Sequence, residues 1–358
     1  MPSVSDLDWK SHDAGLTKGL AKWAYELDYS GVPEDAKSFL KVALRDFVVI
    51  SLAGASGKGV GSSSSTGLNP IVEIAKANPG TCSVIGTTIS SQPLFAAMTN
   101  GAFAHSLNLM DVHRYSAPTH LGPTVFSASL ALAEELDLAY EEFALIAVVG
   151  FEAIGKLGMA LNVGSGVVDS TDANGIGASL IGAKAFQLDE NGFSDCLGIG
   201  AYLTSGGTVS LELTSPGYWC RPMLSGWQAS IGIMAATMAK LGLRGSSRIL
   251  EAPFGFLNAC SLDPDPAPLT HLGNPYEVTR LGLKPYPTTR YLHSEIEALL
   301  NIVVENNIET DALREIIIEK PRAMHLVTGT LERITPDISA CLPNCERTKW
   351  FVLEITVE

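Results

Sequence analysis

Long apolar segments with helical spacing constrain the fold of this chain more than any other feature. They lie in the first 260 residues, are rich in Gly and Ala, and carry apolar side chains nearly all round. Helices without a polar face are buried helices, and small residues let such helices cross closely. We therefore predict a tightly packed helical domain built from Val42 to Ala53, Pro93 to Leu109, Val125 to Leu136, Tyr140 to Leu161, Gly175 to Gln187, Phe193 to Leu203 and Trp227 to Leu241.

The sequence LDPDPAP at residues 262–268 breaks any helix and marks the predicted domain boundary. At 358 residues the chain exceeds the size at which one hydrophobic core stops growing, so we expect two domains. The fold class is predicted as mainly α, with a large all-helical domain over 1–262 and a smaller α+β domain over 263–358. The pattern in the second domain predicts strands over Tyr276 to Gly282, Arg314 to Glu319 and Trp350 to Val357, and a helix over Ser294 to Asn306.

The stretch from Gly57 to Asn69 is rich in Gly and Ser. Such a composition is typical of an exposed loop. A phosphate-binding loop is not indicated, because no GxxxxGK[ST] motif follows a strand. We therefore predict a loop without a phosphate role.

Composition and charge indicate which classes of binding partner the chain can have. Hydrophobic residues make up 46% and charged residues 17% of the sequence, which leaves little polar surface for a monomer, so we expect a homodimer. The formal net charge is −14 and no run of Lys or Arg forms a basic patch. A nucleic-acid partner is therefore excluded, and a small molecule is the expected substrate.

Neither membrane insertion nor secretion is indicated. The longest apolar stretches, Phe47 to Ala55 and Phe143 to Gly150, fall short of the roughly 20 residues that span a bilayer. The first residues lack a basic segment followed by an apolar one, as a signal peptide requires. The six cysteines are scattered without CxxC pairs, so we predict a soluble, cytoplasmic protein with reduced thiols.

Ionisable residues interrupt the apolar run from Phe95 to Glu135. His105, Asp111, His113 and His120 all fall inside it. Ionisable side chains among buried apolar positions are typical of a polar pocket. This run is therefore the first candidate for a catalytic site.

Several motifs carry a resemblance that covers about residues 20 to 300. NGAFAHSLNLMD, THLGP and LALAEE follow one another, GIGASLIGAKAFQLD comes later, and LKPYPTTRYLHSEIEA follows the predicted boundary. Together they resemble the MmgE/PrpD family, whose patterns include NGxxAHxLDFDDT, GxxGAAAAAAKLLGLD and KxYPxCRxxHPAIDA. Each short motif alone is weak, but the combination is specific.

The resemblance implies both a fold and a chemistry. Members include 2-methylcitrate dehydratase, cis-aconitate decarboxylase and iminodisuccinate epimerase, which need no metal or organic cofactor. Their fold is a large all-helical domain with a smaller α+β domain in a homodimer. Their chemistry is proton transfer beside a carboxylate-stabilised carbanion or enolate, with basic residues that hold the substrate carboxylates.

The first family motif is only partly retained. Asn108 replaces the aspartate of HxLDF, and an amide cannot act as an acid or base. Asp111 remains from the DDT triplet, and His120 corresponds to the histidine of the HPS motif. We assign His120, Asn108, Asp111 and His105 as the candidate catalytic residues, with no metal and no cofactor.

The candidate substrate-binding residues lie further apart. Asp169 falls where the family has a second histidine, and Arg221 falls where it has a lysine. The guanidinium of Arg221 can bind a carboxylate but cannot lose its proton, so Arg221 cannot replace a lysine that acts as a base. Lys284 in KPYP matches without change. With Tyr286 and His113, these residues make up the predicted substrate-binding set.

Structural roles are the alternatives for the same residues. His105 suits a core histidine, and His120 suits a helix start. Asp111 and His113 suit a surface loop, and Asp169 suits the loop before a helix cap. These alternatives remain open at the level of sequence.

The end of the sequence departs from the family pattern. Homologues return to the helical domain with a long final segment, whereas this sequence ends at LPNCERTKWFVLEITVE. We therefore expect the C-terminal helical return to be missing, with either a complete helical domain or a more open pocket.

Three functions follow. The favoured one is a cofactor-independent isomerase or cyclase that confines a larger, mostly apolar carboxylic acid, because much of the proton-transfer machinery is replaced. A family-typical lyase on a citrate- or aconitate-like acid is the first alternative, and it predicts cationic side chains that converge on one pocket. A catalytically inactive binding protein is the second, and it predicts a pocket filled by side chains.

Overall fold

The computed structural model describes residues 15–56, 61–113, 115–116, 120–162, 172–204, 223–261, 263–288, 290–309, 316–317 and 353–354. Helices dominate these residues, and the strands are short. The prediction of a mainly α fold is confirmed. The helices are α1 (Leu16–Glu26), α2 (Glu34–Ala55), α3 (Gly61–Ala77), α4 (Pro93–Ser106), α5 (Gly122–Leu136), α6 (Tyr140–Ala160), α7 (Asp172–Ala185), α8 (Glu190–Leu203), α9 (Met223–Lys240), α10 (Phe256–Cys260) and α11 (His293–Glu305).

The strands form pairs of two. β1 (Pro79–Ser83) pairs antiparallel with β2 (Ser90–Ser91), and β5 (Ile316–Ile317) pairs parallel with β6 (Leu353–Glu354). β3 (Val112–His113) pairs antiparallel with β4 (Leu281–Gly282). The β3–β4 pair brings the middle of the chain against the segment that follows residue 280.

Apolar and small side chains form the contacts between the helices. α9 packs against α4 and α7, while α7 also packs against α6 and α8. Gly101 on α4 faces Gly226 on α9, and a Cβ atom on Gly101 would lie 2.7 Å from the Cα of Gly226. The small residues therefore let these helices meet at their backbones, as the sequence predicted.

Local signals fix where the helices start. Pro93 opens α4 and Pro123 lies in the first turn of α5, where a missing N–H costs no helical hydrogen bond. The Asp189 carboxylate accepts a hydrogen bond of 2.8 Å from the N–H of Gly192 and caps α8. These starts agree with the predicted helices to within a few residues.

Helix α3 corrects the predicted loop from Gly57 to Asn69. The helix begins at Gly61 and covers most of that stretch. Leu68, Ile71 and Ala75 on α3 are buried in the core. Packing of an apolar face contributes more to helix stability than intrinsic propensity, so it overrides the poor helix-forming tendency of Gly and Ser.

The strand predicted over Tyr276 to Gly282 is observed only in part. Residues Glu277–Arg280 form a 3-10 helix, and only Leu281–Gly282 of the predicted strand pairs with another strand. Ile316–Ile317 and Leu353–Glu354 are strands, and the rest of the strands predicted over Arg314 to Glu319 and Trp350 to Val357 lies outside the described residues. The predicted helix after residue 293 is observed. The boundary at residue 262 stays a prediction.

Helix α6 is long and apolar enough to cross a membrane by composition alone. However, 89% of its apolar window is buried against the rest of the protein. Glu152 and Lys156 also lie on α6 and are buried. These are the surroundings of a core helix.

Candidate active site

Two buried histidines meet between α4 and α5. His105 lies one residue before the end of α4, and His120 lies just before α5 begins. Their rings are perpendicular, with centroids 5.6 Å apart. The structure thus brings together two of the predicted catalytic residues, and we call them the histidine pair.

Hydrogen bonds define which nitrogen of His120 is basic. Its Nδ1 lies 2.6 Å from the backbone oxygen of Asp111, and a carbonyl oxygen only accepts. Nδ1 therefore donates, and in the neutral ring Nε2 carries the lone pair. The Nδ1 atom of His105 lies 2.8 Å from the hydroxyl oxygen of Ser225, at the start of α9.

Asp111 is buried beside this pair. Its carboxylate accepts hydrogen bonds from the N–H groups of Leu121 (3.2 Å) and Gly122 (2.9 Å) at the start of α5. Burial raises the pKa of Asp111 to about 7, although these two hydrogen bonds and the charge of Lys284 act in the opposite direction. Asp111 combines the role of a helix cap with a carboxyl group that can hold or release a proton near neutral pH.

Asn174 joins the surrounding helices. Its Nδ2 donates to the backbone oxygen of His120 (3.1 Å) and to the hydroxyl of Thr124 (3.3 Å). The hydroxyl of Thr124 donates to the backbone oxygen of Ser225 at 3.3 Å. Sequence reasoning missed Asn174, Thr124 and Ser225, because their common position depends on how α5, α7 and α9 pack.

Asn108 holds Lys284. Asn108 adopts a left-handed backbone conformation with φ of 54°, which Asn tolerates better than most residues. The ammonium of Lys284 donates to both its backbone oxygen and its Oδ1, each at 3.0 Å. Both of these acceptors are neutral groups, and together they orient the ammonium.

A cavity of about 360 Å³ opens next to Lys284. Its lining also includes Val112 of β3, Gly282 of β4, Arg290 and His293. Burial lowers the pKa of His293, and the nearby charges of Lys284 and Arg290 lower it further. The cavity therefore presents two cations and a largely neutral imidazole, which suits an anionic ligand.

Residues 18–269 match the model of the MmgE/PrpD N-terminal domain. The chain belongs to the MmgE/PrpD family. It is 27% identical over 311 residues to a cis-aconitate decarboxylase of Aspergillus terreus, a match that covers 81% of this chain and 60% of the relative. It is 26% identical over 311 residues to the cis-aconitate decarboxylase-like protein oryM of Aspergillus oryzae, with 80% and 61% covered. The chain thus spans about 60% of the length of these curated relatives.

The other predicted MmgE/PrpD site residues lie in different places. Tyr286 is half-buried, and its ring is perpendicular to that of His293, with centroids 5.4 Å apart. Arg221 and Asp169 lie outside the described residues. Arg290 and His293 were not predicted, although both match the R and H of the family pattern KxYPxCRxxHPAIDA.

His113 has a different environment from the histidine pair. Its Nε2 lies 2.6 Å from a carboxylate oxygen of Glu277, and both side chains are fully buried. Glu277 also binds Lys156 and Arg280, and Lys156 contacts Glu152. We call these five residues the carboxylate network, and the substrate-binding role predicted for His113 stays a prediction.

Within the described ranges, no three His, Cys, Asp or Glu side chains come together as a set that could hold a metal ion. The hydrogen bonds described above for the histidine pair and Asp111 go to backbone groups and a hydroxyl. The arrangement offers proton transfer at the histidine pair and anion binding in the neighbouring cavity.

Proposed function

We propose that this chain is a lyase that removes a carboxylate from a small acid with more than one carboxylate group. The observation that carries this proposal is the cavity beside Asn108, where Lys284 and Arg290 place two cations in a volume of about 360 Å³. The names of the curated relatives support the same class of substrate. Because the chain spans only about 60% of those relatives, the activity is a proposal.

Substrate binding depends on Lys284 and Arg290. Charge-assisted hydrogen bonds from Lys and Arg are the strongest that a carboxylate receives from side chains. His293 lines the same cavity and adds a neutral donor or acceptor. Two carboxylates of one small acid can therefore be held at the same time.

The chemical step needs an electron sink and a proton. The bond between carbon and one carboxylate breaks, carbon dioxide leaves, and the bonding electron pair is delocalised into the adjacent unsaturated skeleton and its remaining carboxylates. Cations at those carboxylates stabilise this charge. A proton then adds to carbon, and the protonated forms of His120 and Asp111 are the donors that we assign.

An isomerase or cyclase for a larger, mostly apolar acid is the second candidate. Asn108 favours it, because a neutral amide stands where the family pattern has an aspartate. The charge of the cavity favours the lyase instead. The cavity itself also favours an enzyme over a binding protein whose pocket is filled.

The test is proton NMR of purified protein incubated separately with cis-aconitate, citrate and 2-methylcitrate, together with measurement of released carbon dioxide. We expect loss of one carboxylate from at least one of these acids, and a much slower reaction with Lys284→Met. Absence of turnover of all three by a folded protein would overturn the lyase proposal and favour the second candidate. The homodimer also stays a proposal, and size-exclusion chromatography tests it. The cytoplasmic location is likewise a proposal, and cell fractionation tests it.

A further inference from the structure

We propose that the carboxylate network is a positioning unit that fixes the histidine pair and Asp111 relative to Lys284. This inference rests on the proposed function, because the network is given a role in the activity proposed there. Its residues lie outside the cavity lining. The network links α6, β3 and the 3-10 helix of residues 277–280, which come from three separate parts of the chain.

Glu277 is the centre of the network. One carboxylate oxygen lies 2.8 Å from the ammonium of Lys156, and the other lies 2.6 Å from Nε2 of His113. Arg280 donates to the same carboxylate at 3.1 Å. Burial alone raises the pKa of Glu277, but the contacts with His113 and Lys156 outweigh it and hold the pKa below its usual range. Glu277 is therefore ionised and binds three donors.

His113 is oriented by its second nitrogen. The N–H of Ser116 donates to Nδ1 of His113 at 3.2 Å, so Nδ1 carries the lone pair and Nε2 carries the proton that faces Glu277. The imidazole thus joins β3 to Glu277 by a directed hydrogen bond. Its backbone also pairs with Leu281 in β4.

Glu152 holds the backbone on which Glu277 lies. Its two carboxylate oxygens accept hydrogen bonds from the N–H groups of Gly273 (2.6 Å) and Glu277 (2.8 Å). The segment that precedes β4, and β3 itself, are thus both tied to α6. Residues 273–277 are tied through Glu152, and β3 is tied through His113 and Glu277.

This connection matters because β3 and β4 contain only two residues each. A pair of such short strands has little stability of its own. Asp111 directly precedes β3, and Lys284 follows β4 by two residues. A small displacement of one strand therefore changes the distance between the proton donor and the cation that binds the substrate.

The test compares variants of the network with a matched control. Glu277→Gln removes the charge, and His113→Asn withdraws the donor from Glu277. His113→Gln keeps a donor near the position of Nε2. Glu251→Gln is the control, because Glu251 is also buried and accepts a hydrogen bond of 3.2 Å from the N–H of Thr17, far along the chain.

With cis-aconitate as substrate, we expect Glu277→Gln and His113→Asn to lower kcat by about 10²-fold, while KM changes by less than about threefold. His113→Gln should stay within about threefold of the wild type in kcat. Glu251→Gln should lower the melting temperature without lowering kcat. Equal losses of kcat in Glu277→Gln and Glu251→Gln, or in His113→Asn and His113→Gln, would overturn the positioning role.

A second measurement separates this inference from the proposed function. NMR of protein labelled with isotope in its histidine rings gives a signal for His120, which is assigned by its absence in His120→Gln. If the wild type turns over none of the acids, the proposed function fails, but a shift of the His120 signal in Glu277→Gln and not in Glu251→Gln supports positioning. If the His120 signal is the same in Glu277→Gln as in Glu251→Gln, the positioning role is overturned.

Discussion

The histidine pair and the carboxylate network are both buried, but the hydrogen bonds described for the two clusters involve groups of different charge. The hydrogen bonds described above for His105 and His120 join them to a hydroxyl group and a backbone carbonyl, which are neutral. In the network, the carboxylate of Glu277 binds three donors, which are Lys156, Arg280 and His113. The contacts of Glu277 with His113 and Lys156 hold its pKa below the usual range and keep it ionised. This difference is the reason why we propose chemistry for the histidine pair and positioning for the carboxylate network.

Removal of the central charge of the network should have the largest effect. Glu277→Leu leaves Lys156 buried without its partner at 2.8 Å, and we expect a loss of about 3–5 kcal/mol in the free energy of unfolding. Urea denaturation measures this loss. The matched control is Glu73→Leu, which breaks the exposed pair with Lys76 and should change stability little. Similar losses in the two variants would contradict the contrast between a buried network and a surface pair.

Removal of the Lys284 cation from the cavity should abolish most of the activity but lower the stability little. We expect Lys284→Met to lower kcat/KM for cis-aconitate by about 10²–10³-fold, because the positive charge acts on the developing carbanion. Steady-state kinetics check this value. Lys22→Met, which removes an exposed lysine paired with Glu26, serves as the control. Undiminished activity of Lys284→Met would place the reaction at another site.

The pH dependence of stability should distinguish Asp111 from an ordinary carboxylate. Burial raises the pKa of Asp111 from 3.8 to about 7, so the folded state keeps a proton that the unfolded state has lost between these values. The stability from this group is fully present below about pH 4 and is lost as the pH rises through about 7.

An amide side chain does not titrate, so Asp111→Asn should remove this dependence. Relative to the variant, the wild type should lose about 2 kcal/mol of unfolding free energy between about pH 5 and 6.5. Urea denaturation at a series of pH values measures the difference. Parallel stability curves for the two proteins would show that Asp111 is ionised throughout this range.

The smallest effect concerns the orientation of His105. Ser225→Ala removes the hydroxyl 2.8 Å from Nδ1, and loss of one hydrogen bond of about 1 kcal/mol should lower kcat about fivefold. Ser230→Ala is the control on the same helix, because its buried hydroxyl donates to Leu94 and Gly226 instead. Equal kcat values for the two variants would mean that Ser225 does not orient the imidazole.

The sequence predicts the helices well and the site only in part. Apolar periodicity located most of the long helices, because each is buried by its neighbours. It missed α3, because the Gly and Ser residues at the start of this helix favour a loop. The helix is nevertheless stabilised by Leu68 and Ile71, which are buried in the core. It also missed α1, although Leu16, Leu20 and Ala24 recur at helical spacing and are buried.

The site contains contacts that no local pattern encodes. His113 and Glu277 are 164 positions apart, and His105 and Ser225 are 120 positions apart. The family motif identified Lys284, but the partner of its ammonium follows from the left-handed conformation of Asn108. Individual residues are therefore predictable from motifs, whereas their pairing depends on tertiary packing.

The contact between Gly101 and Gly226 has a consequence for the histidine pair. His105 follows Gly101 by one helical turn, and Ser225 directly precedes Gly226. A side chain at either glycine would force α4 and α9 apart, since even a Cβ atom on Gly101 would lie 2.7 Å from Gly226. Such a separation would also break the hydrogen bond between His105 and Ser225. The orientation of the His105 imidazole therefore depends on two residues that have no side chain.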